Sequence, residues 1–265
     1  DLEGHWAFFL LHLRAFHAAH GVDAISVTTH GASVVVLDAA GELAAPMLDY
    51  EHPGPDGLAA EYDALRPPFA ETGSARLPGG LNVGAQLFWL LRTDPALRDR
   101  VAHVLTYPGY WGWRLTGQRT SDVTSLGCHT DLWEPATGRF SSLVARLGLT
   151  EKMAPPRRPG EVLGHLRPEI AALTGLAADT PVTVGIHDSN ASLLPHVLGR
   201  SGPFSVVSTG TWVVAMAMGA DPVALDPARD VLVNVNALGQ PVPSARFMGG
   251  REFELIAGGD TTAPT

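Results

Sequence analysis

The sequence predicts an α/β fold, in which short strands alternate with helices along the chain. Of the 265 residues, 45% are hydrophobic and 17% are charged, which is typical of a globular protein with a sizeable core. The 29 glycines and 21 prolines are spread between periodic segments rather than gathered in one tract. The apolar residues change repeatedly between helical spacing and short β-rich runs, so we expect many short elements.

The chain opens with a predicted helix and continues with two predicted strands. Residues 5–20 carry apolar side chains at i, i+3 and i+4 spacing, and Gly21 follows as a stop signal. The β-rich runs 24–29 and 33–38 flank a short glycine-containing turn, which favours either a hairpin or a strand-turn-strand. Residues 49–80 are rich in Pro and Gly, and we predict that they are irregular.

Further elements follow at regular intervals. We predict helices over 84–92, 108–115, 143–147, 167–174 and 189–198, and strands over 103–107, 181–185, 204–208 and 212–218. Turn residues cluster at 198–203, between a helix and a new pair of strands. We therefore place a domain boundary there, with residues 1–198 in a first domain and 199–265 at the start of a second.

Composition also bounds the partners of the protein. The formal net charge of −9 argues against a nucleic-acid partner, which would favour a basic face. Cys128 is the single cysteine, so an intrachain disulfide and a cysteine zinc site are excluded. No apolar run reaches the about 18 residues that span a bilayer, and there is no cleavable signal pattern. We expect a cytoplasmic protein without a membrane partner.

The densest group of polar residues lies at 185–192, where a predicted strand ends at a glycine and a helix follows. Ligands bind at the carboxyl ends of strands in open α/β sheets. The carboxylate of Asp188 could accept a proton from a substrate hydroxyl there. Alternatively, Asp188 or Ser189 caps the following helix, and spacing alone slightly favours this alternative.

A second polar group, residues 208–212 (STGTW), lies between two apolar strands. Its three hydroxyls and the backbone N–H groups of a glycine turn could hold phosphate oxygens. An ordinary β-hairpin with Gly in its turn has the same pattern, and without further context we favour it. The sequence contains no GxxxxGK[ST] loop, so this is not a Walker motif.

The remaining candidates carry less information. Gly31, between two predicted strands, would let a small polyol approach the backbone, or would serve a simple connecting turn. His17 and His20 lie one helical turn apart without a third ligand, which is more typical of surface residues than of a metal site. Three further polar residues could line a pocket or make loop hydrogen bonds: Asp122, His129 and Asp131.

Taken in order, these segments resemble the FGGY carbohydrate kinases over nearly the whole chain. The segments that follow the family's order are 25–38, 87–91, 104–117, 120–133 and 160–186. Residues 185–192 are similar to the family's G-x-x-D loop, and residues 208–212 to its S-[ST]-G-T-W phosphate hairpin. Residues 246–254 fall where the family has a helix after that hairpin. Each motif is weak by itself, and their shared order is what makes the resemblance specific.

The resemblance implies a role for each matching residue. Asp188 would be the general base. The sugar site would consist of His30, Gly31, His187, Ser189 and Arg246. The phosphate-binding turn for ATP would consist of Ser208, Thr209, Gly210 and Thr211. ATP and Mg²⁺ are the implied cofactors, and no residue is assigned as a metal ligand.

The implied fold is ribonuclease H-like, as in the actin-like ATPases, and the implied reaction is phosphorylation of a sugar. The sequence is nearest the rhamnulokinase and fuculokinase side of the family, so the implied substrate is a ketose such as L-rhamnulose, L-fuculose or a pentulose. His30 and Arg246 differ from the residues expected of a rhamnulokinase, which leaves the sugar open. Two alternatives also stay open: a non-catalytic sugar-binding or regulatory fragment, and another enzyme of the actin-like ATPase superfamily.

Two segments of the family pattern have no counterpart in the sequence. Nothing like the family's opening G-x-D-x-G-[ST] turn precedes Asp1, and residues 258–262 do not resemble its glycine-rich adenosine segment. We therefore expect this polypeptide by itself to have little kinase activity. Exposed sheet edges would favour association, for which a homodimer is one form.

Overall fold

Helices and short strands alternate along the chain in the computed structural model, which describes residues 1–210, 213–219 and 225–258. The helices are α1 (Leu2–His20), α2 (Ala59–Leu65), α3 (Phe69–Thr72), α4 (Val83–Thr93), α5 (Leu97–Arg100), α6 (Tyr107–Thr116), α7 (Val123–Leu126), α8 (Ser142–Arg146), α9 (Pro168–Thr174), α10 (Asp188–Gly199) and α11 (Gly249–Ile256). The strands are β1 (Thr28–Thr29), β2 (Val34–Leu37), β3 (His103–Thr106), β4 (Ser121–Asp122), β5 (Trp133–Glu134), β6 (Arg139–Phe140), β7 (Pro156–Arg157), β8 (Val162–His165), β9 (Pro181–Thr183), β10 (Ile186–His187), β11 (Phe204–Ser208), β12 (Val213–Met218), β13 (Val231–Val235) and β14 (Pro241–Phe247). The predicted α/β class is confirmed.

Helix α1 confirms the first predicted helix and begins three residues earlier, at Leu2. Its start is fixed by Asp1, because the carboxylate accepts a hydrogen bond of 2.8 Å from the backbone N–H of Gly4. One side of the helix packs on the body of the protein, where Trp6 stacks at 6.1 Å on Trp111 of α6. Burial of this apolar side, together with the cap, explains why helical spacing predicted the element correctly.

Strands β1 and β2 do not pair with each other, so the predicted hairpin is wrong and the strand-turn-strand alternative is correct. Strand β1 pairs in parallel with β10, and β2 pairs antiparallel with β3. The four residues of β2 are all buried, so both faces of this strand lie in the core. The turn between β1 and β2 therefore carries the chain from one sheet into another.

The segment 49–80 is not wholly irregular, contrary to the prediction. It contains α2, α3 and two 3₁₀ turns, at Gly54–Leu58 and Gly79–Leu81. Proline accounts for part of the error, because Pro55 occupies the start of the first 3₁₀ turn, where its fixed φ is favourable. Tertiary packing accounts for more, since the side chain of Tyr62 in α2 is fully buried.

The largest core lies between α4, α5, α8 and the strands β2 and β3. Apolar side chains from these elements form one contact cluster that includes Leu87, Leu97, Val104 and Leu143. Helix α6 ends at Gly117, which has a φ of 80° and adopts the left-handed conformation that we expect of a glycine at a helix end. Among the described residues, no helix combines the length and the apolar character that crossing a bilayer requires.

The last part of the chain forms an antiparallel sheet in the order β11-β12-β14-β13. Helix α10 packs on it through Leu193, which contacts a cluster with Met216 and Val242. The helix predicted over 246–254 is partly wrong, because Arg246 lies in β14 opposite Val214 and α11 begins only at Gly249. Burial alternates along β14, and this period of two selects a strand over a helix.

Candidate active site

A cleft of about 760 Å³ lies between the loops that follow β1 and β10 and the sheet β11-β12-β14-β13. Most of the site residues predicted from the sequence line it: His30, Gly31, His187, Asp188, Ser189, Ser208 and Arg246. These residues come from four distant segments of the chain. The fold therefore brings together the sugar-site residues and the first residue of the phosphate turn.

The parallel pairing of β1 with β10 brings His30 and Gly31 beside His187 and Asp188. Thr28 lies opposite Ile186, and Thr29 lies opposite His187, so both strands end at the same edge. A Cβ atom on Gly31 would lie 2.6 Å from His187 Nε2, closer than non-bonded atoms approach. Any side chain at position 31 would therefore displace the imidazole that packs against this glycine.

Asp188 is the first residue of α10, and its carboxylate is both oriented and accessible. One oxygen, Oδ1, accepts a hydrogen bond of 2.6 Å from the backbone N–H of Ser189 and lies 3.2 Å from His187 Nε2. The side chain is 54% exposed and faces the cleft. The helix-cap alternative requires Asp188 or Ser189 at the N-cap position of α10. That position is occupied by His187 instead.

His187 is buried between two partners that together assign its tautomer. Its Nε2 lies near Asp188 Oδ1, and its Nδ1 lies 3.5 Å from the amide nitrogen of Asn190. An amide nitrogen only donates and a carboxylate only accepts, so Nε2 carries the proton and Nδ1 accepts. Burial lowers the pKa of His187, and the nearby Asp188 partly opposes this shift. The neutral imidazole therefore presents its Nε2 on the side of the Asp188 carboxylate.

Cys128 and His129 line the same cleft in uncharged form. Burial raises the pKa of the Cys128 thiol to about 12. Burial, together with the positive charge of Arg246, lowers the pKa of His129 to about 3. Both side chains are thus neutral near pH 7, and they present a weakly polar wall between Asp188 and Arg246.

Arg246 reaches the cleft from strand β14. Its side chain is 12% exposed, and its Nη2 lies 3.8 Å from Asp230 Oδ1. Burial lowers the pKa of the guanidinium, while the charge of Asp230 opposes the shift. Beside it, the amide of Asn234 donates a hydrogen bond of 3.0 Å to the hydroxyl of Ser244. This side of the cleft therefore offers a cation and a pair of polar side chains.

The predicted phosphate hairpin has the expected antiparallel strands. Strands β11 and β12 pair from Phe204 opposite Met218 to Ser208 opposite Val214. Ser208, Thr209 and Gly210 are exposed at the end of this ladder, and Ser208 lines the cleft. The predicted Thr211, like Trp212, lies outside the described residues. The hairpin is confirmed, whereas phosphate binding by its turn stays a prediction.

Comparison with known proteins identifies the family. Residues 14–195 match the N-terminal domain of the FGGY family of carbohydrate kinases, and residues 201–265 match a carbohydrate kinase FGGY C-terminal domain. The chain belongs to the FGGY family of carbohydrate kinases. The family resemblance inferred from the order of the motifs is therefore confirmed.

Curated relatives within this family include L-fuculokinases. The chain is 27% identical over 204 residues to the L-fuculokinase of Escherichia coli strain K12, which covers 74% of this chain and 42% of that protein. It is 29% identical over 204 residues to the L-fuculokinase of Haemophilus influenzae, which covers 73% of this chain and 41% of that protein. The chain thus spans about two fifths of the length of the curated relatives that it matches.

Solved structures of FGGY kinases share the fold. A carbohydrate kinase from Novosphingobium aromaticivorans is 46% identical with a TM-score of 0.91, over 98% of this chain and 58% of that one. A xylulose kinase from Rhodospirillum rubrum is 24% identical with a TM-score of 0.73, over 96% of this chain and 55% of that one. The predicted ribonuclease H-like fold of the sugar kinases is confirmed by these likenesses.

The weaker candidates of this FGGY chain separate into three groups. Asp122 and Asp131 are buried and make hydrogen bonds inside the protein, whereas His129 lines the cleft. His17 and His20 lie on α1, away from the cleft residues. In the part of the chain that the structure describes, no three His, Cys, Asp or Glu side chains are grouped closely enough to hold a metal ion.

Sequence reasoning missed several cleft residues of the FGGY chain: Cys128, Asn234 and Ser244. A signal existed for Asn234 and Ser244, since each is a polar position in an apolar, β-rich run. We predicted neither β13 nor β14, so this period of two was overlooked. Cys128 offered no signal, because a lone cysteine in a loop has no spacing to interpret.

Proposed function

We propose that the protein catalyses ATP-dependent phosphorylation of a sugar hydroxyl, with Asp188 as the general base. The observation that carries this proposal is the accessible, oriented carboxylate of Asp188 in the cleft, at the carboxyl end of β10. The backbone N–H of Ser189 donates a hydrogen bond to one carboxylate oxygen, and His187 Nε2 lies 3.2 Å from the same oxygen. The exposed face of the carboxylate is then available to accept a proton from a hydroxyl.

The sugar is proposed to bind on the His30 side of the cleft. Gly31 lines the cleft, so its backbone can contact a polyol there, while the His187 imidazole fills the space of the missing side chain. His30, His187, Ser189 and Arg246 line the same cleft and supply further polar contacts. The L-fuculokinase relatives support a ketose such as L-fuculose as the substrate, with L-rhamnulose and pentuloses as further candidates.

The phosphates of ATP are proposed to bind at the hairpin turn. Ser208 and Thr209 present exposed hydroxyls, and Gly210 leaves its backbone open, so these residues fit phosphate oxygens; Thr211 completes the predicted set. Bound ATP would supply the phosphoryl group, and Mg²⁺ would neutralise charge on its oxygens. Mg²⁺ is commonly held by one or two carboxylates together with phosphates, so a three-ligand protein cluster is not needed.

We also propose that residues 1–198 and 199–265 belong to two domains that meet at this cleft. The cleft lies between the loops of the first part and the antiparallel sheet of the second, which supports the division. Closure of the two parts would exclude water and limit hydrolysis of ATP. A cytoplasmic location, the homodimer and low activity of this polypeptide by itself stay predictions.

The proposal is tested by replacing Asp188 with Asn in the full gene product and measuring ADP release with a panel of ketoses. We expect kcat to fall at least about 100-fold with little change in KM, because the base acts in the transition state. Asp179→Asn, at an exposed turn, is the matched control and should retain activity.

Two outcomes would overturn the proposal. Unchanged kcat in Asp188→Asn would remove Asp188 from the chemistry. Binding of a sugar by the wild type without any turnover, and without an effect of Mg-ATP on that binding, would favour the non-catalytic sugar-binding alternative.

A further inference from the structure

A line of buried hydrogen bonds runs from the end of β3 to the junction of β10 and α10, where Asp188 lies. The hydroxyl of Thr106 donates to Asp122 Oδ2 at 2.8 Å, and the hydroxyl of Thr124 donates to Asp122 Oδ1 at 2.5 Å. The Thr124 Oγ1 in turn accepts the backbone N–H of His187 at 3.0 Å. Because a hydroxyl has one proton, donation to Asp122 orients the Thr124 lone pairs toward His187.

Asp122 lies at the centre of these hydrogen bonds. Its side chain is fully buried, and Oδ1 also accepts the backbone N–H of Ser125 at 2.7 Å. The backbone N–H of Asp122 itself donates to the Thr106 hydroxyl at 3.2 Å. A buried carboxylate with several donors around it is held in one position, since each displacement would break a charge-assisted hydrogen bond.

The position of Asp188 depends on these hydrogen bonds because the strand before it, β10, is short. β10 comprises two residues, and the amide of Ile186 is bound to the carbonyl of Val27 at 2.9 Å. The next amide, that of His187, is bound to Thr124 instead of a strand. His187 is the last residue of the ladder, opposite Thr29, and its N–H points away from β1 to the hydroxyl of Thr124.

We propose that Thr124 and Asp122 are positioning residues, which hold the backbone of His187 and thereby the carboxylate of Asp188 at its place in the cleft. This inference rests on the proposed function of Asp188 as the base. Neither residue lines the cleft, so they act on Asp188 through the backbone of His187 and do not contact the substrate. Displacement of a reacting group by about 1 Å can reduce a rate by about 100-fold, which makes such support matter for catalysis.

The first test is Thr124→Val in the full gene product, which replaces the hydroxyl with a methyl group of similar size. We expect kcat to fall about tenfold or more with KM nearly unchanged, because ground-state contacts with the sugar remain. Thr124→Ser keeps the hydroxyl and should restore kcat to within about threefold of the wild type. Asp122→Asn, which still caps α7, should fall between the two.

The matched control is Thr120→Val. Thr120 is also fully buried, and its hydroxyl donates to the carbonyl of Pro155 at 3.0 Å, outside the line that reaches His187. It loses the same kind of buried hydroxyl, so it measures the effect of stability alone. We expect its kcat to equal that of the wild type.

Amide hydrogen exchange at His187 reports on the proposed contact directly. We expect faster exchange at His187 in Thr124→Val than in Thr120→Val or Thr124→Ser, because its acceptor is gone. Equal kcat values in Thr124→Val and Thr120→Val would overturn the inference, as would an equal loss in Thr124→Val and Thr124→Ser. If Thr124→Val fails to fold, the kcat of Asp122→Asn decides in the same way.

The two proposals fail in different ways. Faster His187 exchange without loss of kcat in Thr124→Val, while Asp188→Asn abolishes turnover, overturns positioning and leaves the base in place. Unchanged turnover in Asp188→Asn overturns the base, whatever the exchange at His187.

Discussion

The two sides of the cleft differ in how far their polar side chains are buried and hydrogen-bonded to one another. On the Asp188 side, polar groups of separate segments are hydrogen-bonded to one another in the interior, as at Asp122, Thr124 and His187. The hairpin side ends in an exposed turn, where Ser208 and Thr209 face solvent. Even the apolar Val207 next to them is 58% exposed.

This difference matches the tasks that we propose for the two sides. A general base acts only at a defined distance from the hydroxyl, so its carboxylate has to be held before the substrate arrives. A phosphate group brings several strong acceptors of its own and can organise exposed N–H and O–H donors around it. The lesson is that burial of polar side chains around one wall of a cleft indicates where the chemistry needs fixed geometry.

The largest loss in the free energy of unfolding is expected from Asp131→Asn, on the Asp188 side of the cleft. The buried Asp131 carboxylate accepts hydrogen bonds from Tyr62 and from two nitrogens of Arg66, at 2.8 to 2.9 Å. It fixes the loop that carries His129 into the cleft. Loss of its charge leaves Arg66 without a counter-charge in a largely buried place, and we expect the free energy of unfolding to fall by about 2–4 kcal/mol. Chemical denaturation measures this change.

Glu61→Gln is the control for Asp131→Asn. Glu61 pairs with Arg92 at 3.0 Å, and both side chains are about half exposed or more. The same change from acid to amide should therefore reduce stability by less than about 1 kcal/mol. If the two variants lost equal stability, the buried hydrogen bonds of Asp131 would contribute no more than an exposed ion pair, and the proposed difference between the two sides of the cleft would be contradicted.

The next largest effect is expected from Gly31→Ala, at the contact between two loops of the same side. The new Cβ would displace the imidazole of His187, which is buried and lies 3.2 Å from the Asp188 carboxylate. We expect a loss of about 1–3 kcal/mol in the free energy of unfolding, as for other overpacked sites, and weaker sugar binding in calorimetric titration.

Gly57→Ala separates this effect from the general effect of adding a methyl group. No heavy atom lies within 4 Å of a Cβ at Gly57, so its stability should change by less than about 1 kcal/mol and sugar binding should be unchanged. Normal sugar binding by Gly31→Ala would contradict the packing of His187 as the reason for this glycine.

The smallest effect on stability is expected from Ser208→Ala, on the exposed side. We expect the free energy of unfolding to change by no more than about 0.5 kcal/mol, because the hydroxyl is solvated. The affinity for Mg-ATP, measured by titration calorimetry with the full gene product, should nevertheless fall. A large loss of stability in Ser208→Ala would show that the hairpin turn is as firmly built as the Asp188 loop, and the comparison would fail.

Much of the site could be read from sequence because its signals are local. The β-rich run before Gly185, the polar residues after it and the following helix placed Asp188 at the end of a strand. The serine, threonine and glycine at 208–210 indicated a turn between strands for the same reason. Arg246 shows the limit, since the family resemblance placed it in the sugar site while its element was predicted as a helix and is a strand.

The sequence by itself determined helix α1, the hairpin of β11 and β12, and the order of motifs that marks the FGGY family. Each of these depends on residues within one turn, one strand or one helix face. Only the tertiary structure decided that β1 pairs with β10 rather than with β2, and that Thr124 supports His187 from 63 positions away. Periodicity and turn chemistry act over a few residues, whereas buried hydrogen bonds such as that of Asp131 to Arg66 form only when packing returns distant segments to one place.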